Sequence, residues 1–273
     1  MNLSTQATPT LKNNKTILET KDVSLTFASD GKRESYQVLK DINISIKESE
    51  YISLVGPSGS GKSTLLNLLA GYIKPTTGQV LVSGEEIMGP QSKIGVVFQK
   101  ANLYPWLSTE ENIGFGPKMK KMDKDEIKKI TDRYLDLVSL TEYKDFYPME
   151  LSGGMQQRVS IARSLANSPE VLLLDEPMGA LDALTRSDMQ SMIRNIWQKT
   201  GRTFFMITHD IDEALMMSNR ILVLGGRPGT IVKEYQMDFY KDIDNDKDSI
   251  IYSDKYIDMK EDILMEINQR EEA

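Results

Sequence analysis

Gly56-Pro57-Ser58-Gly59-Ser60-Gly61-Lys62-Ser63-Thr64 lies between two apolar runs, Tyr51-Ile52-Ser53-Leu54-Val55 before it and Leu65-Leu66-Asn67-Leu68-Leu69-Ala70 after it. The first run reads as a buried strand and the second as a helix, so the glycine-rich stretch is the turn that joins them. Successive backbone N–H groups in such a turn converge on one point. The helix that starts there adds roughly +0.5 of an elementary charge, and the loop becomes a cradle for a triphosphate. This is a Walker A phosphate loop, in which Lys62 reaches the β- and γ-phosphates and the Ser63 hydroxyl binds Mg²⁺. The plainer reading, a glycine turn beside a solvated lysine, does not account for the strand before it and the helix after it.

The composition sets outer limits. With 273 residues, the chain is long enough for one large α/β domain with appendages or for two small domains. A net charge of −7 argues against a nucleic-acid binder, which needs a concentrated basic face. Cysteine is absent, so there is no disulfide framework and no thiolate metal site, as suits the cytoplasm. The polar start, Met1-Asn2-Leu3-Ser4-Thr5-Gln6, lacks the apolar core of a signal peptide, and no run reaches the roughly 18 apolar residues that span a bilayer. At a membrane, another chain would have to supply the spanning helices.

Residues 1–15 read as a mobile tail, and strands are expected at 17–27 and 38–46 around a polar turn at 29–34. Beyond the phosphate loop, Pro75-Thr76-Thr77-Gly78 marks a turn, with strands expected at 79–82 and 94–98. Residues 101–150 change character, with charged helical stretches such as 123–140 and little strand signal. From 160 onward short apolar strands (171–174, 203–208, 220–224) alternate with helices (184–199), which argues for a parallel sheet covered by helices. The acidic stretch 242–248 resembles the start of an EF-hand loop. Lys247 stands where that loop needs glycine and Ser253 where it needs a bidentate glutamate, so a solvated linker to a last helix at 254–268 is the better reading. That helix would place Tyr256, Ile263, Leu264 and Ile267 on one side.

Val171-Leu172-Leu173-Leu174-Asp175-Glu176 delivers two carboxylates to the C-terminal edge of a buried strand, where open α/β sheets bind ligands. Asp175 suits a Mg²⁺ partner held through water, and Glu176 suits a general base for an attacking water. Leu151-Ser152-Gly153-Gly154-Met155-Gln156 is a second glycine turn opening a second helix, at 157–166, without a following lysine. Two phosphate-cradling turns, only one of them a Walker A, suggest a nucleotide held between two copies of the chain. His209 is the only histidine. Lone histidines are usually structural, but one at a strand end of this sheet is placed to contact a γ-phosphate.

The order of the phosphate loop, Gln99 after a strand, Leu151-Ser152-Gly153-Gly154-Met155, Leu172-Leu173-Leu174-Asp175-Glu176-Pro177, Gly179-Ala180-Leu181-Asp182 and Thr208-His209-Asp210 resembles the ATP-binding subunits of ABC transporters over about residues 17–235. The resemblance implies an α/β fold: a P-loop NTPase cassette with a mainly parallel sheet core, an antiparallel β subdomain and an inserted α-helical lobe. The cassette would occupy 16–236, with the lobe at about 101–166 and an acidic linker and helix at 237–273. By position it implies that Phe27 stacks on adenine and that Gln99 senses the γ-phosphate and Mg²⁺ and signals to a permease. Ser152, Gly153 and Gly154 would clamp ATP bound to the other subunit, Asp182 would communicate across the dimer, and His209 would steady the γ-phosphate. Met155 departs from the glutamine usual at the end of the signature; the glycine N–H groups that bind phosphate are unaffected.

Gly179-Ala180-Leu181-Asp182-Ala183-Leu184-Thr185-Arg186, Trp197, Thr208-His209-Asp210-Ile211-Asp212-Glu213-Ala214 and Arg227-Pro228-Gly229 resemble the nitrate/sulfonate/taurine importers. Gly95-Val96-Val97-Phe98-Gln99, Leu103-Tyr104-Pro105-Trp106 and Glu111-Asn112-Ile113-Gly114-Phe115-Gly116 bring the taurine branch nearest. The resemblance implies a homodimer of ATPases using ATP and Mg²⁺ at the cytoplasmic face of a membrane. Its partners would be transmembrane permease subunits and, indirectly, an extracytoplasmic solute-binding protein. Residues 103–107, apolar and aromatic just after Gln99, are a candidate docking surface, with lobe core as the competing reading. A non-transport ABC ATPase acting on DNA or ribosomes would usually carry two cassettes, a long coiled coil or zinc-binding cysteines, none of which this sequence shows. An exporter or mechanical-signalling ATPase is the third class.

Overall fold

The computed structural model describes residues 15–28, 35–237 and 250–271, with side chains as far as 269. The expected tail at 1–14, the turn at 29–34 and the acidic stretch 242–248 lie outside the described residues. The chain divides into two compact units, one running to Pro90 and resuming at Trp197, the other comprising Gln91–Ile196.

In the first unit, β1 (Thr16–Phe27) pairs antiparallel with β2 (Tyr36–Lys47). Leu18, Val23 and Leu25 of β1 and Leu39, Ile42, Ile44 and Ile46 of β2 are buried, so one face of the pair is core. The register breaks between Thr20 and Val23, and the buried Thr20 hydroxyl spans the break, donating to Ile42 O and accepting from Ile44 N at 2.9 Å each. β3 (Tyr51–Val55) is buried at every position. It opens into the phosphate loop and α1 (Lys62–Leu69), which buries Leu65, Leu66, Leu68 and Leu69. β4 (Thr77–Val82) adds to the free edge of β1, and the two-residue β5 (Glu85–Glu86) adds to β4.

The second compact unit carries β6 (Ile94–Val97) and, further along the chain, β7 (Val171–Asp175), which pair in parallel. Between them α2 (Thr109–Met119) starts at a capping box made by Ser108 and Glu111, and α3 (Lys124–Leu137) starts at Asp123. Two 3₁₀ turns, Thr141–Tyr143 and Pro148–Glu150, lead to α4 (Gly153–Ala166), which buries Val159, Ile161, Ala162 and Leu165. α5 (Ala183–Thr200) belongs to this unit as far as Ile196. The unit is wider than the 101–166 lobe because β6, β7 and most of α5 cluster with its helices.

The first unit resumes with β8 (Thr203–Ile207), α6 (Ile211–Met217), β9 (Arg220–Gly225), β10 (Thr230–Gln236) and α7 (Asp254–Glu271). β3 lies between β8 and β9, parallel to both, and β10 runs antiparallel to β9. The three parallel strands are near-continuous apolar runs because both faces are covered. Tyr51 meets the rings of Trp197 and Phe204 edge-on at 5.8 and 5.4 Å, and the Trp197 indole donates to Ser49 O at 3.1 Å. The start of β3 is fixed by a buried pair, Arg220 with Glu50 at 3.6 Å, while Arg220 also donates to Ser45 O and Glu50 accepts from Lys47 N.

Candidate functional site

The phosphate loop is tight because its glycines admit backbone where side chains would clash. A Cβ on Gly56 would lie 2.1 Å from Leu224 O, and one on Gly61, where φ is +99° at the start of α1, would lie 2.9 Å from Leu39 Cδ2. Pro57 and Ser60 are buried, whereas Ser58, Gly59 and Ser63 face solvent and Thr64 is half-buried. Lys62 Nζ donates to Gly56 O at 2.8 Å and Pro57 O at 2.9 Å, so its ammonium is already folded over the loop. In the same unit Phe27 is 36% exposed and its ring lies 5.6 Å from Tyr36.

His209 follows β8 with its imidazole exposed, and its neighbours on both sides are locked. The buried Thr208 hydroxyl donates to Glu213 Oε2 at 2.7 Å and accepts from Asp210 N at 3.0 Å; Asp210 Oδ1 accepts from Glu213 N at 3.1 Å and so caps α6. Sequence reading missed Glu213, although an acid three residues after a capping aspartate is a readable signal.

In the other unit Asp175 ends β7 and Glu176 follows it, both half-buried, with Glu176 at φ +43°. Gln99 Nε2 donates to Glu176 Oε2 at 3.4 Å. Gly179 permits that approach, since a Cβ there would lie 3.2 Å from Gln99 Nε2 and 3.4 Å from Glu176 Oε2. The buried Gln157 side chain donates to Phe98 O at 2.9 Å and steadies the residue before Gln99, a second contact the sequence did not disclose.

Ser152 caps α4 by accepting from Met155 N at 3.2 Å, so the helix begins at Gly153 rather than at 157. Gly153 and Gln99 border one cavity of about 310 Å³, with Gln156, Ala180 and Leu181. Asp182 accepts from Thr185 Oγ1 at 2.7 Å and Thr185 N at 3.1 Å, and those bonds hold its carboxyl below the ordinary carboxylate range. Trp106 is 69% exposed and therefore not lobe core. Asn112 presents it by donating to the carbonyls of Tyr104, Leu107 and Ser108 and accepting from Tyr104 N.

The glycine-rich turn between the buried β3 and α1 has the form of a P-loop nucleotide-binding site. The family model described as ABC transporter matches residues 39–179. The chain is 46% identical over 239 residues to the taurine import ATP-binding protein TauB of Jannaschia sp. (strain CCS1), covering 87% of this chain and 89% of that protein. It is also 46% identical to the nitrate import ATP-binding protein NrtD of Synechocystis sp. (strain ATCC 27184 / PCC 6803 / Kazusa), covering 80% and 81%. A solved dimeric ATP-binding cassette in a post-hydrolysis state, bound to ADP and Pi, matches with a TM-score of 0.70 at 35% identity, covering 81% of this chain and 99% of its own. The chain belongs to the ABC transporter family, as one of its ATP-binding, ATP-hydrolysing subunits.

Proposed function

We propose that the chain is the ATPase of an importer for a small anionic or zwitterionic solute of the taurine, alkanesulfonate or nitrate type, acting through a separate permease. The observation that carries this reading is a match along most of the chain to proteins named for taurine and nitrate import. It acts as a homodimer on the cytoplasmic face of the membrane, in line with the dimeric state of the matched cassette. Among the described residues no helix is long and apolar enough to cross a membrane, so permease subunits supply the spanning helices and an extracytoplasmic binding protein delivers the solute. The exposed Trp106 favours the docking reading of residues 103–107.

The glycine cradle and the folded Lys62 fit a triphosphate. The Ser63 hydroxyl and the Asp175 carboxylate are hard oxygen donors that fit Mg²⁺, with Gln99 as a further ligand. Mg²⁺ held there would neutralise charge on the nucleotide's phosphates. Glu176 takes the proton of the attacking water, with Gln99 held against its carboxylate at 3.4 Å. His209 steadies the γ-phosphate, Phe27 receives the adenine, Ser152 to Gly154 clamp the nucleotide of the second copy, and Asp182 communicates with that copy.

The test is genetic and enzymatic together. Glu176→Gln should retain nucleotide binding, slow hydrolysis about 10²–10⁴-fold, and fail to restore growth of a deletion strain on taurine, an alkanesulfonate or nitrate as sole sulfur or nitrogen source. A deletion strain that grows normally on all three would overturn the solute class; parental hydrolysis by the variant would remove Glu176 from its role.

A further inference from the structure

The turn Gly226-Arg227-Pro228-Gly229 joins β9 to β10 and has no part in the roles above. Its last residue is bonded to β2 and lies close against the backbone of the phosphate loop at Ser60. Gly229 N donates to Val38 O at 2.8 Å, Lys40 N donates to Gly229 O at 2.9 Å, and a Cβ on Gly229 would lie 2.2 Å from Ser60 O. Only glycine allows that approach. The turn then carries the Arg227 guanidinium to the loop's exposed tip, where a Cβ on Gly59 would lie 3.4 Å from Arg227 Nη2. Arg227 is exposed, and among the described residues no hydrogen bond or ion pair engages it. Lys62, by contrast, already donates to two loop carbonyls.

A guanidinium stays charged at any physiological pH, and its planar fork matches phosphate oxygens. An unengaged one held beside an anion-binding loop adds attraction for the ligand of that loop. We propose that Arg227 is a second phosphate-binding cation, donating to the polyphosphate chain of the bound nucleotide and adding to Lys62. The assignment rests on the phosphate-loop reading of residues 56–64. Because the group is exposed, its contribution is modest and sensitive to salt.

Titration of the purified chain with a fluorescent ATP analogue at low and physiological salt tests it. Arg227→Gln should raise Kd about three- to five-fold at low salt, and its affinity should fall less steeply with added salt than the parent's. Arg227→Lys, which keeps the charge, should stay within about two-fold of the parent; a Lys variant as weak as the Gln variant would overturn the charge-based role. Lys62→Ala serves as the control. If it leaves Kd unchanged, the phosphate-loop reading itself fails; if it weakens binding while Arg227→Gln does not, the inference about Arg227 alone is overturned. That inference is also overturned if Arg227→Gln loses only ATP-driven dimerisation, which would assign the arginine to a second copy of the chain.

Discussion

Gly153 and Gly154 stand side by side for different reasons. A Cβ on Gly154 would come 2.6 Å from Thr185 Cγ2, so that glycine serves packing. A Cβ on Gly153 would meet nothing within 4 Å, and the residue is exposed, so packing within the chain does not require glycine there. Gly153→Asp should therefore fold normally and load its own phosphate loop. If that face meets the γ-phosphate of a second copy, it should also lose ATP-driven dimerisation and about 10²-fold in hydrolysis, because a carboxylate is set against a phosphate. Mixing it with Lys62→Ala chains should return some nucleotide-dependent closure, since each mixed dimer keeps one intact loop and one intact signature. Sedimentation with and without ATP decides it; a Gly153→Asp protein that dimerises and hydrolyses normally reduces the turn to a helix start.

At the scale of elements, α6 shows how a short helix sets one side chain. Its N-cap, Asp210, and its buried Glu213 brace the peptide on either side of His209 through the Thr208 hydroxyl. Losing Glu213 leaves that hydroxyl without a partner it holds at 2.7 Å, and the turn loosens. Glu213→Ala should slow hydrolysis about ten-fold with little change in nucleotide affinity, yet have no further effect in a His209→Ala background. Steady-state rates of the four proteins complete the cycle, and additive losses would show that Glu213 acts elsewhere. Several elements were legible: 203–208 became Thr203–Ile207 because an apolar run ending at turn residues leaves few alternatives, and 17–27 became Thr16–Phe27 although charged and hydroxyl residues interrupt its apolar positions. Surface aromatics were less so. Trp106 is as apolar on the surface as in a core, and what turns it outward is a buried polar residue, Asn112, whose four bonds no periodicity discloses. The bracing contact of Gln157 was hidden for the same reason, being a polar side chain bonded at a position the apolar pattern does not rank, whereas Glu213 left a capping signal that went unread.

Across the molecule, the C-terminal helix is fastened by charge and hydroxyl contacts as well as by buried side chains. The expected face of Tyr256, Ile263, Leu264 and Ile267 holds for Tyr256 and Ile263, which are buried, while Ile267 is half-buried and Leu264 is 38% exposed. Asp212 of α6 accepts from the Tyr256 hydroxyl at 2.9 Å and from Lys260 at 2.7 Å; Asp262 accepts from Lys233 at 2.7 Å and from the Tyr235 hydroxyl at 2.8 Å. The bonds from Lys233 and then Tyr235 hold the Asp262 carboxyl below its ordinary 3.8. A depressed acid stabilises the docked helix above that value, and the contribution is lost as pH falls below it. Burial first, and then bonding to the aspartates, pushes Tyr235 up to about 12 and Tyr256 well above its ordinary 10.0. Those phenols stabilise the docked helix below 10.0, and their contribution is lost as pH rises beyond it. α7 should therefore keep its amide protection between about pH 4 and pH 10 and release at both extremes. In Asp262→Asn, which removes the charge partner of Lys233, it should release more readily already at neutral pH. Hydrogen exchange corrected for intrinsic rates reads this directly. Equal protection of α7 in the parent at about pH 3 and pH 7, or in Asp262→Asn and the parent at about pH 7, would mean that apolar contacts of Tyr256 and Ile263 alone hold the helix.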